Sequence, residues 1–135
     1  MTPGAFDKKA LIQYRLERAF ETLESAKLVQ EQGNDPASVV NRAYYAMFYA
    51  ALALLETIGK EPSKHSGVLA LFDQHFIKPG ILPKEMGKFL HTAFDMRLSG
   101  DYEDKVKITE EAAVRVLDSA IQFVNSIRQK LTENS

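Results

Sequence analysis

The stretch NRAYYAMFYAALALLE, residues 41–56, carries three tyrosines, places an arginine at its second position and runs from Ala43 to Leu55 without a charge. At helical spacing Val40, Tyr44, Met47, Ala51, Leu54 and Ile58 fall on one stripe. Arg42, Tyr45, Tyr49 and Leu52 fall on a second, turned by about 200° from the first. Both stripes are apolar or aromatic. A helix of that kind is central to a bundle, or is shared between a bundle core and a second subunit. The uncharged run is shorter than the ~18 to 20 residues that cross a bilayer, so a soluble core helix is expected and no membrane span. The tyrosines read first as core packing with hydroxyls bonded at its edge. Arg42 opposes the dipole at a helix start, which calls for an anionic or carbonyl partner elsewhere.

Working outward, Asp35 followed by Pro36 is an N-cap with a first-turn proline, so this helix is expected to start there and run to Gly59. Before it, Ile12, Leu16, Ala19, Leu23 and Ala26 mark an amphipathic helix from about Lys8, closed by a left-handed cap at Gly33. Ser63 is the expected cap of a shorter third helix through KHSGVLALFDQHF, which the IKPGILP segment terminates. Pro83 suits the first turn of a fourth helix, through Phe89, Leu90, Ala93, Phe94 and Met96 to Gly100. Thr109 caps the last helix, with Glu110 and Glu111 in its first turn and a stripe of Ala113, Val116, Ala120, Val124, Ile127 and Leu131. No segment alternates like a strand, and no repeat or low-complexity tract is present. The fold class is all-α.

With 135 residues, 45% of them hydrophobic, the chain is sized for a single domain over 1–135 with one core. Seventeen Lys and Arg stand against 18 Asp and Glu, a net charge of -1, so no global basic surface points to nucleic acid and any RNA contact must be local. The absence of cysteine removes disulfides, thiolate nucleophiles and Cys-ligated zinc, and is compatible with a reducing cytoplasm. The N-terminal MTPGAFDKK lacks the apolar region of a secretion signal. Three residues before His65, His75 and His91 stand Pro62, Phe72 and Lys88, so the Glu-x-x-His pair of di-iron bundles is missing and no metal is expected. Zinc-peptidase, P-loop, hydrolase-elbow and dinucleotide motifs are also missing.

The segment FDMRLSGDYED, residues 94–104, holds the candidate partners for Arg42. Arg97, Asp101 and Tyr102 could form a phosphate-contacting site, with guanidinium on the anion and the acid orienting it. By spacing alone it reads as a solvated turn, Arg97 capping helix-end carbonyls and Gly100 supplying a positive φ.

Three signatures occur in order: Arg-Ala-Tyr-Tyr-Ala-x-Phe at Arg42 to Phe48, a Lys-His pair at Lys64 and His65, and Arg-x-x-x-Asp-Tyr at Arg97 to Tyr102. Over about Asp7 to Lys130 the chain resembles the HEPN family, in particular its small stand-alone branch. The resemblance implies an antiparallel up-and-down bundle of four to five helices, commonly a homodimer, that acts beside a minimal nucleotidyltransferase as the toxin or accessory member of a toxin–antitoxin pair. It also implies nucleotide or RNA binding without a cofactor. Active ribonucleases of the family carry Arg-x(4–6)-His, whose arginine and histidine surround the scissile phosphate without metal. Here Arg97 is followed at those positions by Tyr102, Glu103 and Asp104, and Arg42 by Met47, Phe48 and Tyr49. By analogy with toxins silenced by nucleotide transfer to a tyrosine, Tyr102 would be the acceptor.

RNA cleavage through the 2′-hydroxyl needs a base and an acid, roles a histidine can fill and a tyrosine with pKa about 10 fills poorly. The expected site is therefore a convergence of Arg42, Tyr45, His65, Arg97, Asp101 and Tyr102 that binds a nucleotide or phosphate. The ranked functions are a nucleotide- or RNA-associated binding module and, second, a metal-independent ribonuclease with Arg97 and His65 as candidate catalytic residues.

Overall fold

The computed structural model describes residues 5–33, 35–102 and 107–133, and within them the side chains other than those of 5, 6 and 100–102. Its helices are α1 (Ala5–Glu31), α2 (Pro36–Glu56), α3 (His65–Phe72), α4 (Lys84–Tyr102) and α5 (Glu110–Glu133), and no strand occurs among the described residues. The chain is an all-α bundle, as the helical periodicities require.

Burial places α2 at the centre. Val39, Val40, Ala43, Tyr44, Ala46, Met47, Ala50, Ala51, Ala53, Leu54 and Leu55 are all buried, and α2 touches each of the other four helices. Its antiparallel packing on α1 shows in the side-chain contacts. Arg15 reaches the Leu52 carbonyl, Arg18 reaches Tyr49 and Ser25 reaches Arg42, so one number falls as the other rises. Five of these eleven buried α2 positions are alanines, matched by Ala19 and Ala26 on α1 and by Ala113 and Ala120 on α5. A methyl group lets helix backbones approach closely and costs nothing in helix propensity. Larger side chains fill the far end, where Phe72 and Phe123 lie 5.3 Å apart between ring centroids.

Asp35 stands at the N-cap of α2 with Pro36 behind it, but its side chain makes no capping bond, and its carbonyl instead accepts from Ser38 N at 2.9 Å. The helix closes at Glu56. Gly59 then takes φ 72°, which lets Lys60 N donate to Leu55 O at 3.1 Å. Glu56 is buried, and it meets Arg15 at 3.6 Å across the α1–α2 contact, a cation offsetting a carboxylate at the negative end of α2. Thr109 caps α5 as expected, its Oγ1 accepting from Ala112 N at 3.1 Å.

Three expectations are corrected. Lys64, not Ser63, is the N-cap of α3, and no side chain caps it. The third helix is α-helical only to Phe72 and continues as a π-helical turn, Asp73–Ile77, in which Lys78 N reaches back to Asp73 O at 2.8 Å. Pro79, having no N–H, could not extend an α-helical ladder there. Gly87 of α4 packs on that turn so closely that a Cβ would lie 3.2 Å from Asp73 Oδ1. Finally, α4 does not stop at Gly100 but runs to Tyr102, so no turn forms there and Arg97 projects from the helix a turn before its end.

The alanine seams of α2 predict that Ala50→Leu, at a fully buried position, destabilises the fold by about 1–3 kcal/mol through overpacking. Urea unfolding measures it, and a variant with the wild-type midpoint would mean that the seam has room to spare.

Candidate functional site

The α1–α2 packing leaves an open groove of about 470 Å³ along its outer face. Arg18, Glu21, Thr22 and Ser25 line it from α1, at the three- and four-residue steps that share a helix face, and Asn41, Arg42, Tyr45 and Tyr49 line it from α2. Arg42 Nε donates to Ser25 Oγ at 3.2 Å and its Nη1 to Ser38 O at 3.3 Å. The carbonyl partner expected for Arg42 thus comes from its own helix and the hydroxyl from α1, neither from residues 94–104. At the other end Arg18 Nη2 donates to the Tyr49 hydroxyl at 3.3 Å, with its guanidinium 5.1 Å from the ring centre. Tyr45 and Tyr49, one turn apart on α2, have ring centroids separated by 6.1 Å.

Tyr45 also belongs to a second cluster, which joins α2, α3 and α4. Arg97 lies 5.2 Å from the Tyr45 ring and 5.7 Å from that of Tyr44, and its Nε donates to Asn41 Oδ1 at 3.3 Å. The His65 ring stacks on Phe48 at 4.3 Å and meets Tyr45 edge-on at 5.8 Å. Its Nδ1 is 2.6 Å from the Tyr44 hydroxyl. Tyr45, His65 and Arg97 therefore converge as expected, Arg42 stands one step away along the groove, and the side chains of Asp101 and Tyr102 lie outside the described residues. Tyr44 and Asn41 join the cluster without having been singled out. Tyr44 falls on the core stripe, and it is indeed fully buried; only its hydroxyl belongs to the site.

Proton positions in this cluster follow from burial. Tyr44 is pushed well above the usual phenol range, first by burial, against the opposing pull of Arg97, so it keeps its proton at neutral pH. A buried hydroxyl proton needs an acceptor, and Nδ1 of His65 is the one within reach. Nδ1 then accepts and Nε2 carries the ring proton. The His65 pKa is lowered, first by burial and then by the positive charge of Arg97, so the imidazole is held neutral. A neutral ring whose one lone pair is occupied orients and donates; it does not abstract a proton.

His91 lies apart in contact, its Nε2 2.6 Å from Asp73 Oδ2 on the π-helical turn. Among the described residues no three metal-ligating side chains gather, and no helix is long and apolar enough to cross a membrane.

A family model described as the HEPN domain matches residues 12–130. The chain is 42% identical to a UPF0332 protein of Thermotoga maritima, over 95% of this chain and 96% of that one. It is 35% identical to a protein of Methanocaldococcus jannaschii named as a candidate toxin, over 94% of this chain and 93% of that one. A second protein of the same organism, also named as a candidate toxin, is 35% identical over 91% of this chain and 83% of its own length.

Because His65 binds a proton less readily folded than unfolded, the unfolded chain holds more protons, and stability falls as pH drops below the ordinary histidine range near about 6.5. His65→Phe keeps a ring against Phe48 but leaves the Tyr44 hydroxyl without its acceptor. It is expected to lose about 1–3 kcal/mol at neutral pH and to flatten the acid side of the stability profile. Urea unfolding at about pH 7.5 and about pH 5.5 checks both; an unchanged variant would mean that the Tyr44 proton is met elsewhere.

Proposed function

Since the chain belongs to the HEPN family, we propose that it is a nucleotide- or RNA-associated binding module, the toxin-like or accessory partner of a minimal nucleotidyltransferase in the cytoplasm. One observation carries the reading: the groove and the Arg97 cluster are joined through Tyr45, so that Arg18, Arg42 and Arg97 surround the Tyr45 and Tyr49 rings. Guanidinium forks suit phosphate oxygens, and tyrosine faces suit bases, which is the pairing that single-stranded nucleic acid requires. With a net charge of -1 the chain offers no background attraction, so contact depends on these few cations. The toxin names of two relatives support a two-component setting in which the second component restrains this one.

Self-association as a homodimer belongs to the same reading. Tyr14 and Leu28 on α1 are 58% and 54% exposed, and both lie on the stripe of Arg18, Glu21 and Ser25. A second copy seated on them would enclose the groove without filling it.

A metal-independent ribonuclease with a non-standard site is the second reading, favoured by Arg97 lying close enough to His65 to perturb it. It ranks below the first because the Tyr44 hydroxyl occupies Nδ1 and leaves His65 no lone pair for the 2′-hydroxyl proton. His91 does not take its place, because its Nε2 is turned to Asp73.

Single-stranded RNA binding, followed by fluorescence anisotropy across a salt series, is expected to weaken in both Arg42→Ala and Arg97→Ala, each variant losing about 0.7 from the log–log salt slope. Unchanged affinity and slope would sink the reading. The same RNA, incubated in EDTA with wild type, Arg97→Ala and His65→Ala, is expected to stay intact; cleavage that both variants lose would promote the ribonuclease. Light scattering is expected to give twice the 15.2 kDa chain mass, and a monomer would remove the dimer from the proposal.

A further inference from the structure

Glu21 is the lining residue of the α1–α2 groove whose charge does not suit a phosphate. It sits one turn from Arg18 and one turn from Ser25, and the antiparallel register puts it across from Tyr45, midway along the groove. A surface evolved only to hold phosphate would exclude a carboxylate there, because like charges repel at this range. An ionised carboxylate only accepts hydrogen bonds, through two oxygens side by side. Its match is therefore a ligand edge with two adjacent donors.

Among the nucleobases that edge belongs to guanine, whose ring N–H and exocyclic amino group stand next to each other. Adenine, cytosine and uracil each place an acceptor beside their single donor group, and the acceptor would face the carboxylate. The neighbouring side chains supply what the rest of a nucleotide needs. Tyr45 and Tyr49, 6.1 Å apart, offer faces for a stacked base. Arg42 is anchored by Ser25 and Ser38, and its fork has more donors than those two bonds use. The groove, at about 470 Å³, lies within the ~300–1,000 Å³ range of small-ligand sites.

We infer that the α1–α2 groove selects a guanine nucleotide: Glu21 accepts from the base edge, the Tyr45 and Tyr49 rings carry the base, and Arg42 holds the phosphate. The inference rests on the nucleotide-binding reading above and adds the identity of the base.

Calorimetric titration of the full chain with GMP, IMP and AMP tests it. GMP is expected to bind at least about tenfold more tightly than AMP, with IMP, which lacks the exocyclic amino group, between them. Glu21→Gln, an exposed and structurally mild change, is expected to abolish the preference, so that GMP and AMP bind alike. Arg42→Ala is expected to weaken all three alike. Equal binding of GMP and AMP by the wild type, lost in Arg42→Ala, would overturn guanine selection and leave nucleotide binding standing. No binding of any of the three would overturn both.

Discussion

The lack of a polar face on α2 is the constraint from which the rest of the structure follows. A helix apolar around most of its circumference cannot lie on a surface, so it has to be enclosed, and the other four helices enclose it. The enclosure is tight because so many of its buried positions are alanines, which set short distances between backbones and leave little tolerance for added volume. The one stripe left partly open is that of Arg42, Tyr45, Tyr49 and Leu52, and the groove lies along it.

Polar groups enter this apolar helix at a few points, and four of them are met by neighbours. Tyr44 is buried to its hydroxyl and finds His65; Asn41 finds Arg97; Arg42 finds Ser25; Glu56 finds Arg15. These bonds tie α2 to α3, α4 and α1 in turn, and buried polar pairs of this kind specify one arrangement of helices over others that would bury the same apolar area. The chemistry of the cluster is a by-product of that fastening. Burial keeps Tyr44 protonated and His65 neutral, so the cluster offers donors and aromatic faces, not a proton acceptor.

Much of the fold is legible in the sequence because its signals are local. The apolar stripes, Thr109 as a cap, Gly33 and Gly59 as left-handed stops and Pro36 in a first turn all act within a few residues and stand where expected, except that Ile58, placed on the core stripe, lies past the end of α2 and is exposed. What the sequence hides is set from a distance. Gly100 reads as a helix end by its own propensity, yet α4 continues through it. Arg97 and Phe94 of that helix rest on Tyr44, contacts that no local pattern reveals. The π-helical turn is equally hidden, since Phe72 and Phe76 keep the four-residue spacing of an ordinary helix while the bond pattern widens beneath them. Of the candidate site, the meeting of Tyr45, His65 and Arg97 was legible as residue types in order. The roles of Arg18 and Ser25 were not, because they depend on the register between α1 and α2.

The hydrogen bond between Tyr44 and His65 also bears on how such a core can change over generations. Either residue alone is a liability, because a buried hydroxyl without its acceptor costs more than the bond returns. Replacing both with apolar rings of similar shape can be nearly neutral. Descent from one state to the other thus passes through a less stable intermediate, and in a marginally stable bundle that intermediate is selected against. Tyr44 and His65, 21 positions apart in the chain, should be inherited as a unit, kept together or lost together.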